Sequence, residues 1–141
     1  LSCENGFIPL THLSEVGKVA ASPADLAEQL IGTPYSWGGR SGDAIDCSGL
    51  VQLVFGLKGI LAPRDADMQQ AEFGEDLPEG AALQRSDLVF FPGHVGIMAD
   101  GENIIHANGT AMAVSVEPLA HAMARFAEHE QPILARKRVS L

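Results

Sequence analysis

The chain reads as one α+β domain, with helices in its first half and an antiparallel sheet in its second. Three observations carry this reading. Turn dipeptides fall at Pro92-Gly93, Asp100-Gly101 and Asn108-Gly109, and so leave room only for short strands joined by tight connections. The segments between them are rich in β-branched and aromatic residues. Earlier in the chain, Pro23 and Asp46 stand as helix-start residues ahead of apolar runs. Consecutive short turns imply a meander, with helices on one side of the sheet.

In chain order, residues 1–13, around Gly6-Phe7-Ile8-Pro9-Leu10, read as the closing strands of a preceding module, and residues 14–23 as a link to a domain of residues 24–141. Pro23 opens a helix to about Ile31 with Leu26, Leu30 and Ile31 facing inward, and Gly32-Thr33-Pro34 stops it. Residues 35–46 form a glycine-rich loop carrying Tyr35 and Trp37. A helix begins at Cys47 and ends near Gly56 to Gly59. After Pro63 a short helix fits residues 65–72, and Leu77-Pro78-Glu79-Gly80 makes a turn. Strands are expected at Asp87–Phe91, His94–Ala99, Asn103–Ala107 and Ala113–Val116. A helix from Leu119 to about Phe126 and a strand over Pro132–Val139 complete the domain.

At 141 residues the chain supports one core. Its formal net charge of −9 and pI near 4.8 argue against nucleic acid as a partner and against bulk attraction to anionic polymers. No segment approaches the roughly 18–20 apolar residues of a membrane span. The two cysteines, Cys3 and Cys47, form no Cys-x-x-Cys pair and have no histidine at zinc spacing, so neither metal nor cofactor is expected; a disulfide between them is open to the sequence but would consume the Cys47 thiol, and both are expected to be free. A chain that starts at leucine without a charged-then-apolar leader leaves a cytoplasmic and a cell-envelope location both open.

Asp46-Cys47-Ser48-Gly49 places a thiol where a helix begins. The free amides and dipole of that first turn would favour thiolate. The alternative is an N-cap aspartate beside a cysteine chosen for packing. Two histidines tip the balance. His94 begins one expected strand and His106 lies near the end of the next, each five or six residues from the Asp100-Gly101 turn, so the two come roughly opposite each other. One imidazole can then take the thiol proton while the other orients it. His12, His121 and His129 lack such a setting.

Gly32-Thr33-Pro34-Tyr35-Ser36-Trp37-Gly38-Gly39, Asp46-Cys47-Ser48-Gly49, Gly93-His94-Val95-Gly96-Ile97 and Ile105-His106-Ala107 resemble, in order and spacing, the signature blocks of the NlpC family of papain-like cell-wall cysteine peptidases. The resemblance covers about residues 24–138. It implies Cys47 as nucleophile, His94 as general base and His106 as the polar third member. Tyr35 would sit beside the thiol, as oxyanion donor or substrate contact, with the Cys47 amide as the other oxyanion donor. Asp46 and Ser48 match positions that bind a substrate ammonium in members trimming free stem peptides, where a cation would offset the acid beside the thiol. Arg64 and Gln69 match a further block, with substrate contact and loop positioning both open. Ser86 stands where the family has glycine before Asp87. Residues 3–13 are similar to the last strands of a bacterial Src-homology-three-like barrel.

The activity this implies is hydrolysis of the γ-D-glutamyl–L-diamino acid bond of peptidoglycan stem peptides, on small fragments with a free L-alanine amino end. The residues themselves reach only thiol-dependent acyl transfer. An amidase or endopeptidase acting on intact murein, a thiol acyltransferase and a catalytically silent wall-binding domain remain as rivals. The lipid-acyl branch of such transferases places histidine before cysteine, the reverse of the order here.

Overall fold

The computed structural model describes residues 2–3, 6–7 and 22–141. The helices are α1 (Pro23–Gln29), α2 (Cys47–Leu57), α3 (Ala66–Glu72) and α4 (Leu119–Ala127). Two strands of two residues each, β1 (Ser2–Cys3) and β2 (Gly6–Phe7), pair antiparallel in a sheet of their own. The main sheet contains β3 (Glu75–Asp76), β4 (Leu88–Phe91), β5 (His94–Met98), β6 (Asn103–Asn108), β7 (Ala113–Pro118) and β8 (Ala135–Arg138), in the order β3-β8-β4-β5-β6-β7 with every pair antiparallel. The expected barrel-like remnant and link fall mostly on residues outside the described set.

The meander forms as the turn dipeptides dictate, but helices cover both faces of the sheet rather than one. Leu88, Phe90, Val95, Ile97, Ile105 and Ala107 pack with α1 and α2, while Val89, Phe91, Met98 and Ile104 pack with Leu119 and Ala122 of α4. The signal lies in β4, whose four residues are all apolar and at most 1% exposed. A strand buried on both faces shows a continuous apolar run instead of alternation.

Helix α1 is shorter than expected. Ser22 caps it through a reciprocal pair with Asp25, in which Ser22 Oγ accepts from the Asp25 amide at 3.2 Å and the Ser22 amide donates to Asp25 Oδ2 at 2.7 Å. It buries Pro23, Ala24 and Ala27. Leu26 and Leu30 are only partly buried, and Ile31 is half exposed because Gly32, at φ +90°, already turns the chain to bond the Val114 carbonyl. The small alanines let α1 approach the core closely. Strand β3 carried no apolar signal, since it is a two-residue acidic edge strand with both residues exposed.

Ser86 keeps the turn that glycine makes in the family pattern, at φ +73°. A side chain in this left-handed region costs about 1–2 kcal/mol. The buried hydroxyl offsets that cost by accepting the Ala24 amide at 3.2 Å, which ties the start of α1 to the sheet. Replacing Ser86 by alanine keeps the strain and orphans the Ala24 amide, a loss of about 1–3 kcal/mol. Ser86→Gly loses the same bond but relieves the backbone, so in urea unfolding it should lie about 1 kcal/mol above Ser86→Ala. Equal stabilities would refute this account.

Candidate active site

The start of α2 is organised by one carboxylate. Asp46, with extended backbone at φ −101° and ψ 178°, caps the helix by accepting the Gly49 amide on Oδ1 at 2.7 Å. Its Oδ2 accepts the Gly38 amide at 2.7 Å and so pins the glycine loop. Arg64 grips the same carboxylate through both guanidinium ends, at 3.0 and 2.7 Å, and also donates to Ser48 Oγ at 3.0 Å. Gly49 has no freedom to change, because a Cβ there would stand 2.3 Å from the Gly39 carbonyl oxygen. Burial works against the Asp46 charge, but Arg64 and the two amides outweigh it and hold the carboxyl below its ordinary range.

Gln69 is fully buried and does not line the cavity at Cys47. Its amide nitrogen donates to the carbonyls of Ser48, at 3.0 Å, and Pro63, at 2.7 Å, clamping α3 against the first turn of α2. Its Oε1 has no partner among the described residues, so this position uses only donors.

Cys47 lies 8% exposed at the base of a cavity of about 690 Å³, bordered by Tyr35, Trp37, Asp46, Ser48, Arg64, Asp65, Asp67 and Gly93. It is a free thiol, and the side chain of Cys3 lies outside the described residues. The amides of Val95, Ser48 and Cys47 itself point at the sulfur. The helix start nevertheless does not bring the thiol below its ordinary range. Burial pushes the thiol up and the Asp46 charge adds to the push, so both outweigh the amides. Tyr35 stands half-buried beside Cys47 and Asp46; burial and then those two groups raise its hydroxyl above the ordinary tyrosine range.

The Val95 amide belongs to the peptide joining His94 to Val95, so its approach to the sulfur brings the start of β5 against Cys47. His94 and His106 do meet, though not as directly opposed residues. Ile97 pairs with Ile105 and Met98 with Ile104, a register that continues to set Gly96 opposite His106 and leaves His94 on the diagonal. His94 Nε2 contacts His106 Nδ1 at 2.8 Å across that diagonal. Gly96 opens the way, since a Cβ there would lie 2.4 Å from Ile104 Cδ1 and 3.2 Å from His106 Cβ.

Two residues missed in the sequence complete this group. His106 Nε2 contacts Glu117 Oε1 at 2.8 Å, and Arg125 of α4 holds both Glu117 oxygens. Burial, then His106 and Arg125, lowers the His94 pKa to about 3. Burial also lowers that of His106, against the pull of Glu117. Both imidazoles are neutral at pH 7. A second cavity, of about 270 Å³, holds His94 with Arg125, Phe126 and His129 on its walls, which gives His129 a setting its sequence did not suggest. His121 is exposed, and His12 lies outside the described residues.

A buried cysteine at a helix start, against an interior strand of the sheet whose first residue joins an imidazole pair, defines a papain-like cysteine peptidase domain. Residues 32–129 match the NlpC/P60 family, and the chain belongs to that family. It is 37% identical over 108 residues to dipeptidyl-peptidase 6 of Lysinibacillus sphaericus, covering 77% of this chain and 40% of the relative. It is 33% identical over 101 residues to gamma-D-glutamyl-L-lysine dipeptidyl-peptidase of Bacillus subtilis strain 168, covering 66% and 33%. The chain thus spans two-fifths or less of these relatives. The crystal structure of a NlpC/P60 family protein from Bacillus cereus ATCC 10987 superposes with a TM-score of 0.72 at 28% identity, over 85% of this chain and 40% of that one. Among the described residues no cluster of side chains is arranged for a metal ion, and no helix is long and apolar enough to cross a membrane.

Two outcomes follow from these electrostatics. His94 binds a proton far more readily unfolded, near pH 6.5, than folded, near pH 3. The stability this contributes is present above pH 6.5 and is lost as pH falls towards 3. Urea unfolding at pH 7 and pH 5 should show that slope, and His94→Gln should flatten it; an unchanged slope would contradict a neutral buried His94. Arg64→Met, which leaves a carboxylate 5% exposed without its cation, should cost about 1.5–3 kcal/mol in the same assay. A loss below about 0.5 kcal/mol, the scale of an exposed pair, would mean that Arg64 does not hold the site.

Proposed function

We propose that this chain is the catalytic domain of a cysteine endopeptidase that hydrolyses the γ-D-glutamyl–L-diamino acid bond of peptidoglycan stem peptides, on small fragments with a free N-terminal L-alanine. The observation that carries the reading is the buried Cys47 thiol against the Val95 amide of β5, the strand whose first residue, His94, contacts His106. The attack begins from a thiol and a neutral imidazole. His94 Nδ1 takes the Cys47 proton as the sulfur adds to the γ-glutamyl carbonyl, and the Cys47 amide and Tyr35 hydroxyl receive the oxyanion. Collapse of the adduct breaks the C–N bond, with His94 returning the proton to the leaving amine. Water then attacks the thioester with His94 again as base, which frees the γ-glutamyl carboxylate and restores the thiol.

The bond is the one named for the Bacillus subtilis relative. The preference for a free amine rests on the cavity lining, where Asp46, Asp65 and Asp67 face the single guanidinium of Arg64. Arg64 and two backbone amides already engage both Asp46 oxygens. The ammonium is therefore met by a cavity with surplus negative charge, with Ser48 and Asp46 at its base.

Cys47→Ala should abolish turnover of L-Ala-γ-D-Glu-diamino acid, measured by mass spectrometry of the products, while leaving the unfolding curve near that of the unaltered chain. Retained turnover would overturn the mechanism. Acetylating the peptide's amine should lower kcat/KM by the equivalent of about 1.5–3 kcal/mol. If free peptide, acetylated peptide and intact peptidoglycan are cut equally well, a hydrolase of the assembled wall is the correct reading instead.

A further inference from the structure

We propose that Glu117 is a positioning residue of this site, fixing the tautomers of both imidazoles so that the Nδ1 lone pair of His94 is the one left for the Cys47 proton. The inference rests on the thiol mechanism above for its consequence, but on hydrogen-bond geometry for its content. Three side chains on successive strands form a diagonal line: His94 on β5, His106 on β6 and Glu117 on β7, each contact 2.8 Å long. Ile104 pairs with Glu117 and His106 with Ser115, so Glu117 is offset from His106 by two residues, in the same sense as His106 is from His94.

The proton positions follow in order from one end. Glu117 is ionised: the Arg125 hydrogen bonds, against the opposing effect of burial, hold its carboxyl below the ordinary range. An ionised carboxylate only accepts, so Nε2 of His106 must carry a proton. His106 is completely buried and neutral, and a neutral imidazole has a single N–H, which makes its Nδ1 an acceptor. The 2.8 Å contact to His94 Nε2 then requires the proton to sit on His94 Nε2. Nδ1 of His94 is left with a lone pair. Reversing any one link would put a proton on that nitrogen and remove the base.

Arg125 contributes in a second way. An uncompensated carboxylate beside His106 would favour imidazolium, the state that donates from both nitrogens and reverses His94. The charged and titratable groups facing His106 are His94 from β5, Glu117 from β7 and Arg125 from α4. The guanidinium cancels the Glu117 charge while leaving its oxygens free to accept. The pair thus works as an acceptor with little net field.

The direct test needs no variant. Long-range proton–nitrogen correlation spectra of histidine-labelled protein at pH 7 should show the Nε2–H tautomer for both His94 and His106. An Nδ1–H form of either, or a doubly protonated His106, would overturn the inference. In kinetics on L-Ala-γ-D-Glu-diamino acid, Glu117→Gln should lower kcat about 10- to 100-fold with KM changed by less than about twofold, and an Nδ1–H signal should appear for His94. Because Glu117 acts only through His106, the same change in a His106→Asn background should cost less than about twofold. A full, additive loss in that background would show a general structural role instead. Retained activity in Cys47→Ala would remove the thiol reading without altering the spectra, so the two failures are distinguishable.

Discussion

The Asp46 carboxylate is the point on which the rest of the site depends. It caps α2, holds the Gly38 amide of the glycine loop and is gripped by Arg64, all within 3.0 Å. Three separate chain segments therefore converge on one ion that is 5% exposed. Such an arrangement is stable only when every lone pair is used, since a buried carboxylate without partners costs several kcal/mol. The same requirement explains the crowding around it. Gly49 must be glycine because the Gly39 carbonyl lies on the first helical turn, and Gln69 donates to the Ser48 and Pro63 carbonyls beside it.

This construction brings a negative charge next to the thiol that the proposed mechanism uses as its nucleophile. Burial and Asp46 both push the thiol up, and the amides of Val95, Ser48 and Cys47 only partly oppose them. The site consequently rests as thiol and imidazole, unlike cysteine sites that rest as a preformed ion pair. Arg64 limits the penalty by cancelling Asp46 at close range. In the proposed mechanism the chemistry is then carried by proton transfer in the attack itself, which makes the free nitrogen of His94 decisive.

The opposite side of the sheet supplies that control. Gly96 leaves space opposite His106, His94 leans across it, and Glu117 with Arg125 closes the line. Phe126 of α4 lies 5.2 Å from the His94 ring and 4.3 Å from Phe91, so the same helix that carries Arg125 also packs the imidazole in place. Helix α4 is thus coupled to the site by both packing and charge.

The chain's own sequence determined the α+β order, the start of α2 at Cys47, the meander and the presence of two interacting histidines, because these depend on local signals: cap residues, turn dipeptides and apolar runs. Tertiary structure decided the rest. The His94–His106 register differs by two residues from a count of residues to the turn, because the Asp100 side chain caps that turn through the Glu102 and Asn103 amides and pairing resumes only at Met98 and Ile104. Glu117 lay just past the expected strand end at Val116, and its partner Arg125 comes from a helix on the far face of the sheet. The state of the thiol was likewise beyond sequence, where helix start and histidine both argued for charge. Only the packed structure shows how much water is excluded from the sulfur, and that exclusion sets the balance.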